Sequence, residues 1–279
     1  GFSNKDNSQV EVLRQLLHRE PYAPHSSGIA YPTPFRVYGS YRVLVVDIKG
    51  IFTENEIYNV TFDRIRVLRR LKSFIMDSFI TTARMGMKIN LLDNEDGSLS
   101  LIVQGDGSEE LKKSIRIAEA ICGYLASNER GISVIVGIGS KYTEPTELWK
   151  SYDEAKKSIS ICEKLWGRDR LIVFEELGIY RLISTIPSYT YLKDYCEATI
   201  TKLLEYEKNS DLELLKTLQT YLRCNENLKE TANSLFVHPN TVKYRLKLIK
   251  KITGLDPYIT KDRLQLYMGL MILPLIEPD

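Results

Sequence analysis

Cysteine is scarce in this chain and badly spaced for chemistry. Cys122, Cys162, Cys196 and Cys224 stand 40, 34 and 28 residues apart. No Cys-x-x-Cys pair offers a zinc knuckle or a redox dithiol, and reduced thiols in a cytoplasmic protein are expected. Histidine is scarcer still. His18, His25 and His238 are too few and too scattered to gather a metal, and the first two are read as solvated. Long apolar runs are missing as well. The longest, "LQLYMGLMILPLI" (264–276), has 13 residues and contains Pro274. It is too short to span a bilayer and reads as a buried terminal helix, so no membrane partner is expected. An excess of one charge is also lacking: 38 basic residues face 36 acidic ones for a net charge of +2. That balance excludes a uniformly basic protein, and any surface for nucleic acid must be local. "GIGS" and "GDGS" lack the Gly-x-x-x-x-Gly-Lys-Ser/Thr spacing of a phosphate-binding loop. No catalytic residue, metal or cofactor is assigned. The chain opens on Gly without a signal-peptide pattern, which reads as a fragment or a tag scar with sequence expected upstream.

What is present is ordinary globular material, 43% hydrophobic and 27% charged, at a length that favours two domains over one. Residues 8–19 suit a short helix through Val12, Leu13, Leu16 and Leu17. Residues 20–40 hold four prolines, two glycines and three serines and read as a linker, so 1–40 form an N-terminal helix and linker.

From residue 41 the apolar period changes repeatedly. "YRVLVVDI" (41–48) is a continuous apolar run of the kind that fills a buried central strand. Phe62, Ile65, Leu68, Leu71, Ile75 and Phe79 recur at three- and four-residue steps, a helix stripe. Two apolar runs flank "DNEDGS", where Asp96-Gly97 signals a hairpin. Leu111, Ile115, Ala118, Cys122 and Leu125 make the next helix, and "ISVIVGIG" (132–139) the next strand. Strand, helix, strand, strand, helix, strand is the split βαβ, ferredoxin-like order. A helix through Leu148, Tyr152, Ala155, Ile159 and Cys162 and a strand "LIVF" complete an α/β domain over 41–176. Asp47 ends the first strand, and Asp93, Glu95 and Asp96 lie across the hairpin. They are read as strand-end and turn residues in preference to metal ligands.

Residues 177–222 read as a helical connector, with a break at Pro187-Ser188 and Asp211 as the N-cap of its last helix. A second domain, all helix, follows over 223–279, so the class is α+β. "ENLKETANSL" (226–235) is a short helix, "FVH" a tight turn, and Pro239 opens a second helix capped by His238. Val242, Leu246 and Ile249 share its buried face, and Thr253-Gly254 stops it. The other face carries Asn240, Thr241, Lys243, Tyr244, Arg245, Lys247, Lys250 and Lys251. Two short helices joined by a tight turn, the second basic and rich in donors, describe a helix-turn-helix. Its N-terminal residues reach base edges in the major groove. Arg245 is expected on guanine and Asn240 on adenine, with Lys250 and Lys251 on phosphates. Pairing on half-sites one turn apart calls for a homodimer.

Two resemblances sharpen this reading. "VLVVDIKG", "VIVGIGSKYTEPTELWKSYDEAKKSI" and "GRDRLIVF" resemble the nucleotide-cyclase-like domain of diguanylate cyclases in its degenerate, GGDEF-like form. The signature turn of active cyclases is replaced here by "DNEDGSLS", which lacks the paired glycines and the following acids, so cyclase activity is not expected. "NLKETANSLFVHPNTVKYRLKLIKKITGLD" (227–256) resembles the C-terminal helix-turn-helix of PucR/CdaR-type transcription regulators. Together they cover 41–273. The resemblance implies control of a bacterial catabolic or secondary-metabolic operon through an operator in duplex DNA. It also implies a small-molecule effector, for which residues 1–40 are too short a sensor. Pro239 stands where relatives often carry Arg or a polar residue, so no base contact is expected from that position. The other classes are a sensing scaffold, separated by salt-dependent DNA binding, and a nucleotide cyclase, revealed by GTP turnover.

Overall fold

The computed structural model describes residues 11–18, 39–50, 57–80, 88–105, 110–129 and 131–276, with side chains from residue 64 onward in the helix that starts at Ile57. Most of the segment read as a linker, His25 and the Phe62 side chain lie outside this set. The chain divides into two compact units, Gly1–Arg181 and Leu182–Asp279.

In the first unit residues 11–17 (α1) precede β1 (Ser40–Gly50), α2 (Ile57–Ile80), β2 (Lys88–Asp93), β3 (Leu99–Gly105), α3 (Glu110–Asn128), β4 (Ile132–Ile138), α4 (Leu148–Trp166) and β5 (Arg170–Val173). The sheet order is β2-β3-β1-β4-β5, with β1 central as the sequence suggests. β1 is antiparallel to both neighbours and β3 to β2, while β5 joins β4 in parallel. β1 and β2 therefore run the same way with β3 between them, which is the split βαβ arrangement.

The apolar run of β1 has a direct cause, because both faces of the sheet are covered. Leu44, Val46 and Ile48 join Leu101, Val103, Val134 and Val136 beneath Val67, Leu71 and Ile75 of α2 and Ile117, Ile121 and Leu125 of α3. On the other face Tyr41, Val43 and Val45 meet Ile102 and Ile135 beneath Leu148, Ala155, Ile159 and Cys162 of α4 and Leu13, Leu16 and Leu17 of α1. Each such buried aliphatic side chain contributes roughly 1.5–3 kcal/mol. The stripe on α2 holds at Leu68, Leu71, Ile75 and Phe79 and departs from the sequence reading at its start, where Ile65 is 54% exposed and Val67 takes the core position. The hairpin forms as expected. Gly97 sits at φ 78°, and Asn94 and Ser98 close the turn, Asn94 N donating to Ser98 O at 3.0 Å.

The second unit is helical. The boundary falls within α5 (Ile179–Ile183), after which come α6 (Tyr189–Thr199), α7 (Thr201–Glu207), α8 (Leu214–Arg223), α9 (Leu228–Ser234), α10 (Pro239–Thr253) and α11 (Thr260–Ile276). One core joins Ile200, Leu203, Leu214, Leu218 and Tyr221 to Ala232, Val242, Leu246, Ile249, Leu266 and Leu270. Two expectations are corrected here. Asp211 does not cap α8. Glu213 holds that position without a side-chain bond, and the Leu215 N–H is satisfied by Glu207 at the end of α7, at 2.8 Å. The terminal helix α11 is buried on one side only, since Leu264 and Tyr267 are exposed. Among the described residues no helix is long and apolar enough to cross a membrane.

Candidate nucleic-acid interface

Three of the four carboxylates singled out in the α/β unit, Asp47, Asp93 and Asp96, are engaged by cations of the chain. Arg168 meets Asp47 at 3.1 Å and also donates to its carbonyl. Lys72 pairs with Asp93, and Lys156 with Asp96. The Arg64 guanidinium lies over the hairpin turn, so close that a Cβ at Gly97 would meet it at 2.9 Å. Burial opposes charge on Asp96, but bonds from Lys156 and Ser98 outweigh it and hold the carboxyl down to about 2. Side chains of α2 and α4 thus close over the turn.

The helix-turn-helix is built from local chemistry at each junction. Asn227 caps α9, its side chain accepting from the N–H groups of Lys229 at 3.0 Å and Glu230 at 3.2 Å. Thr231 and Ala232 form the buried face of that helix. Val237 N donates to Ala232 O at 3.0 Å to close the turn. His238 then caps α10 as expected, its ring nitrogen accepting from Asn240 N at 3.2 Å, with Pro239 in the first turn, where its missing N–H is no loss. At the far end Gly254 takes the left-handed conformation, φ 78°, and returns its N–H to Lys250 O.

Between these caps α10 carries Lys243, Arg245, Lys247, Lys250 and Lys251 and no acid. Its core side holds Val242, Leu246 and Ile249, all fully buried. At 100° per residue, Asn240, Lys243, Tyr244, Lys247 and Lys251 share the opposite side, and each of them is exposed. Thr241 is half-buried at its edge. Lys250 is exposed too, but its ammonium bonds Asp256 at 2.7 Å. That bond holds the lysine above its usual range and the aspartate below its own.

Arg245 is the correction. The sequence reading puts it on the exposed face as the guanine-binding residue, yet it is 8% exposed. Its guanidinium donates to Thr217 Oγ1 on α8 at 3.0 Å and lies 3.9 Å from Glu213. Arg245 fastens α10 to α8 and is not presented to a ligand. The residue that sequence reasoning passed over is Phe236, placed in the turn and 96% exposed.

Comparison with known proteins places both units. Residues 35–161 match the GGDEF-like domain, and residues 214–272 match the PucR C-terminal helix-turn-helix domain. The proline-responsive transcriptional activator PutR of Bacillus subtilis is 37% identical over 142 residues, 50% of this chain and 34% of that protein. The DNA-binding transcriptional activator AdeR of the same organism is 24% identical over 276 residues, 96% of this chain and 60% of its own. The carbohydrate diacid regulator of Escherichia coli is 28% identical over 137 residues, 49% of this chain and 35% of that one. The chain thus spans between about a third and three fifths of the length of these relatives.

Proposed function

We propose, from the match of its two units to the GGDEF-like domain and the PucR C-terminal helix-turn-helix domain, that the chain is a regulator of the PucR/CdaR type and controls transcription by binding an operator sequence in duplex DNA through α10. The observation that carries the reading is the division of α10 into an apolar side locked in the core and an opposite side of Asn240, Lys243, Tyr244, Lys247 and Lys251 with no acid among them. One helix fits the major groove, and the N-terminal residues of that helix meet base edges. Asn240 and Thr241 take that role, Asn240 offering the paired donor and acceptor that adenine accepts. Tyr244 follows one turn on. Lys243, Lys247 and Lys251 meet phosphates, which set register without reading sequence. Lys250 contributes less, its ammonium being shared with Asp256.

The domain limits follow the same reading: an N-terminal helix and linker over 1–40, the GGDEF-like domain over 41–176, a helical connector over 177–222, and the DNA-binding domain over 223–279. One recognition helix contacts too few bases for tight specific binding, so two copies of the chain on half-sites about one helical turn apart are proposed. The relatives named for proline and for carbohydrate diacids support a small-molecule effector of that size class and control of a catabolic operon. The site of action is the bacterial cytoplasm, and no catalysis is assigned.

The test is selection of bound duplexes from a random pool, followed by anisotropy titration across salt. A regulator enriches a repeated half-site and binds it about a thousandfold or more tighter than unselected DNA. A chain that enriches no sequence, or binds a lone half-site at full affinity, refutes the operator or the dimer respectively.

A further inference from the structure

Four described residues other than glycine hold a left-handed backbone: Asp169 at φ 62°, Asn225 at 50°, Glu226 at 66° and Phe236 at 56°. That conformation costs an L-residue energy, least for Asn and Asp. Three of the four have an account within the fold. Asp169 accepts from Val134 N at 2.9 Å, Glu226 pairs with Arg263 at 2.8 Å, and Asn225 is a residue type that tolerates the geometry. Phe236 has none. It is bulky, it is the most exposed large apolar side chain among the described residues, and its ring packs on nothing. The turn is closed by backbone bonds alone, Phe236 N to Asn233 O and Val237 N to Ala232 O. Glycine would make the same turn without strain and without a ring in water.

A bulky exposed ring at a left-handed position that glycine would fill points to a contact outside the fold. Phe236 stands two residues before the cap His238 and four before Asn240. At about 3.8 Å between consecutive Cα atoms it lies within roughly 15 Å of Asn240, comparable to the width of the major groove. A duplex seated on the N-terminal end of α10 therefore passes within reach of the ring. No acidic residue occurs between Leu235 and Asp256 to repel a phosphate wall. A protein partner would be met by a broader apolar patch, whereas Asn233 and Ser234, three and two residues before Phe236, are exposed and polar. The one apolar group on the base edges of the major groove is the C5-methyl of thymine.

We infer that Phe236 is a specificity-determining residue whose ring covers the methyl of a thymine bordering each half-site. This rests on α10 being the DNA-reading helix. The experiment uses the full chain and a duplex selected by the wild type from a random pool. Phe236→Gly and Phe236→Asn both suit the left-handed turn, so their melting temperatures should hold or rise. Their affinity for the selected duplex should fall roughly tenfold or more, as expected for losing a buried aromatic, with binding to unselected duplex unchanged. In the wild type, exchanging one thymine for uracil removes only the methyl and should reproduce much of that loss, with no further loss in Phe236→Gly. Variants that bind the selected duplex like the wild type overturn the inference. So does a loss that no uracil exchange reproduces, and so does a loss of self-association in place of base preference, which would assign the ring to a second copy. If the wild type selects no sequence at all, the failure belongs to the DNA reading itself, and the two cases are separable.

Discussion

Arg245→Ala tests the placement of α10 directly. The guanidinium is 8% exposed, donates to the fully buried Thr217 at 3.0 Å and lies near Glu213. A hydrogen bond from a charged group is worth about 1.5–3 kcal/mol, and the aliphatic stem adds packing. Against this stand the cost of having buried the charge and the Nε, which has no partner. Thr217 keeps its own bond to the Glu213 carbonyl after truncation, so no donor is orphaned there. A net loss of ~2 kcal/mol follows. In a unit of this size 1 kcal/mol moves the melting temperature by roughly 4–8 °C, so a drop of about 10 °C is expected. The assay is built into the chain. Its two tryptophans, Trp149 and Trp166, both belong to the first unit, so their fluorescence follows that unit while far-UV dichroism also follows the helices of the second. The dichroism transition should move down and the fluorescence transition should stay. An unchanged melting profile with a tenfold loss of operator affinity confined to particular base pairs would refute the placement and return Arg245 to the DNA.

Lys247→Ala should weaken all duplexes alike and lower the salt slope of log affinity by about one unit, read from titrations at several salt concentrations. Lys250→Ala should lower it by less, because Asp256 already holds that ammonium. Val242→Asp places an unpaired carboxylate in a fully buried site. The dichroism of the second unit should be lost while tryptophan fluorescence stays native. Incubation with GTP and magnesium should yield no cyclic dinucleotide, because the hairpin turn is occupied by Arg64 and Lys156; product that disappears in Asp47→Asn would contradict this.

Much of the architecture was legible because it rests on local signals. The run 41–48 announced a strand covered on both faces, Asp96-Gly97 announced its hairpin, and Pro239 and Gly254 marked both ends of α10. What failed was non-local. Periodicity gives the direction of a side chain from its helix axis but not what packs alongside. At 100° per residue Arg245 points between Thr241 and Ile249, at the margin of the core side, yet it is buried only because α8 lies there, with Thr217 28 residues earlier in the chain. Asp211 looked like a cap by composition, but the carboxylate that serves the first turn of α8 arrives from Glu207 on the preceding helix. Phe236 gave a signal nobody reads from pattern alone: an aromatic in a turn that glycine would fill.

The separation of the two sides of α10 has an evolutionary consequence. Asn240, Lys243, Tyr244, Lys247 and Lys251 are exposed, whereas Val242, Arg245, Leu246 and Ile249 carry the anchoring. Two kinds of selection therefore act on one fifteen-residue helix without competing for the same positions. Exposed substitutions change stability little, usually within ~0.5 kcal/mol. On the proposed reading of α10, base preference can change at Asn240 and Tyr244 and overall affinity at Lys243, Lys247 and Lys251 without unseating the core side, so a duplicated copy of this gene can vary either one residue at a time and remain folded.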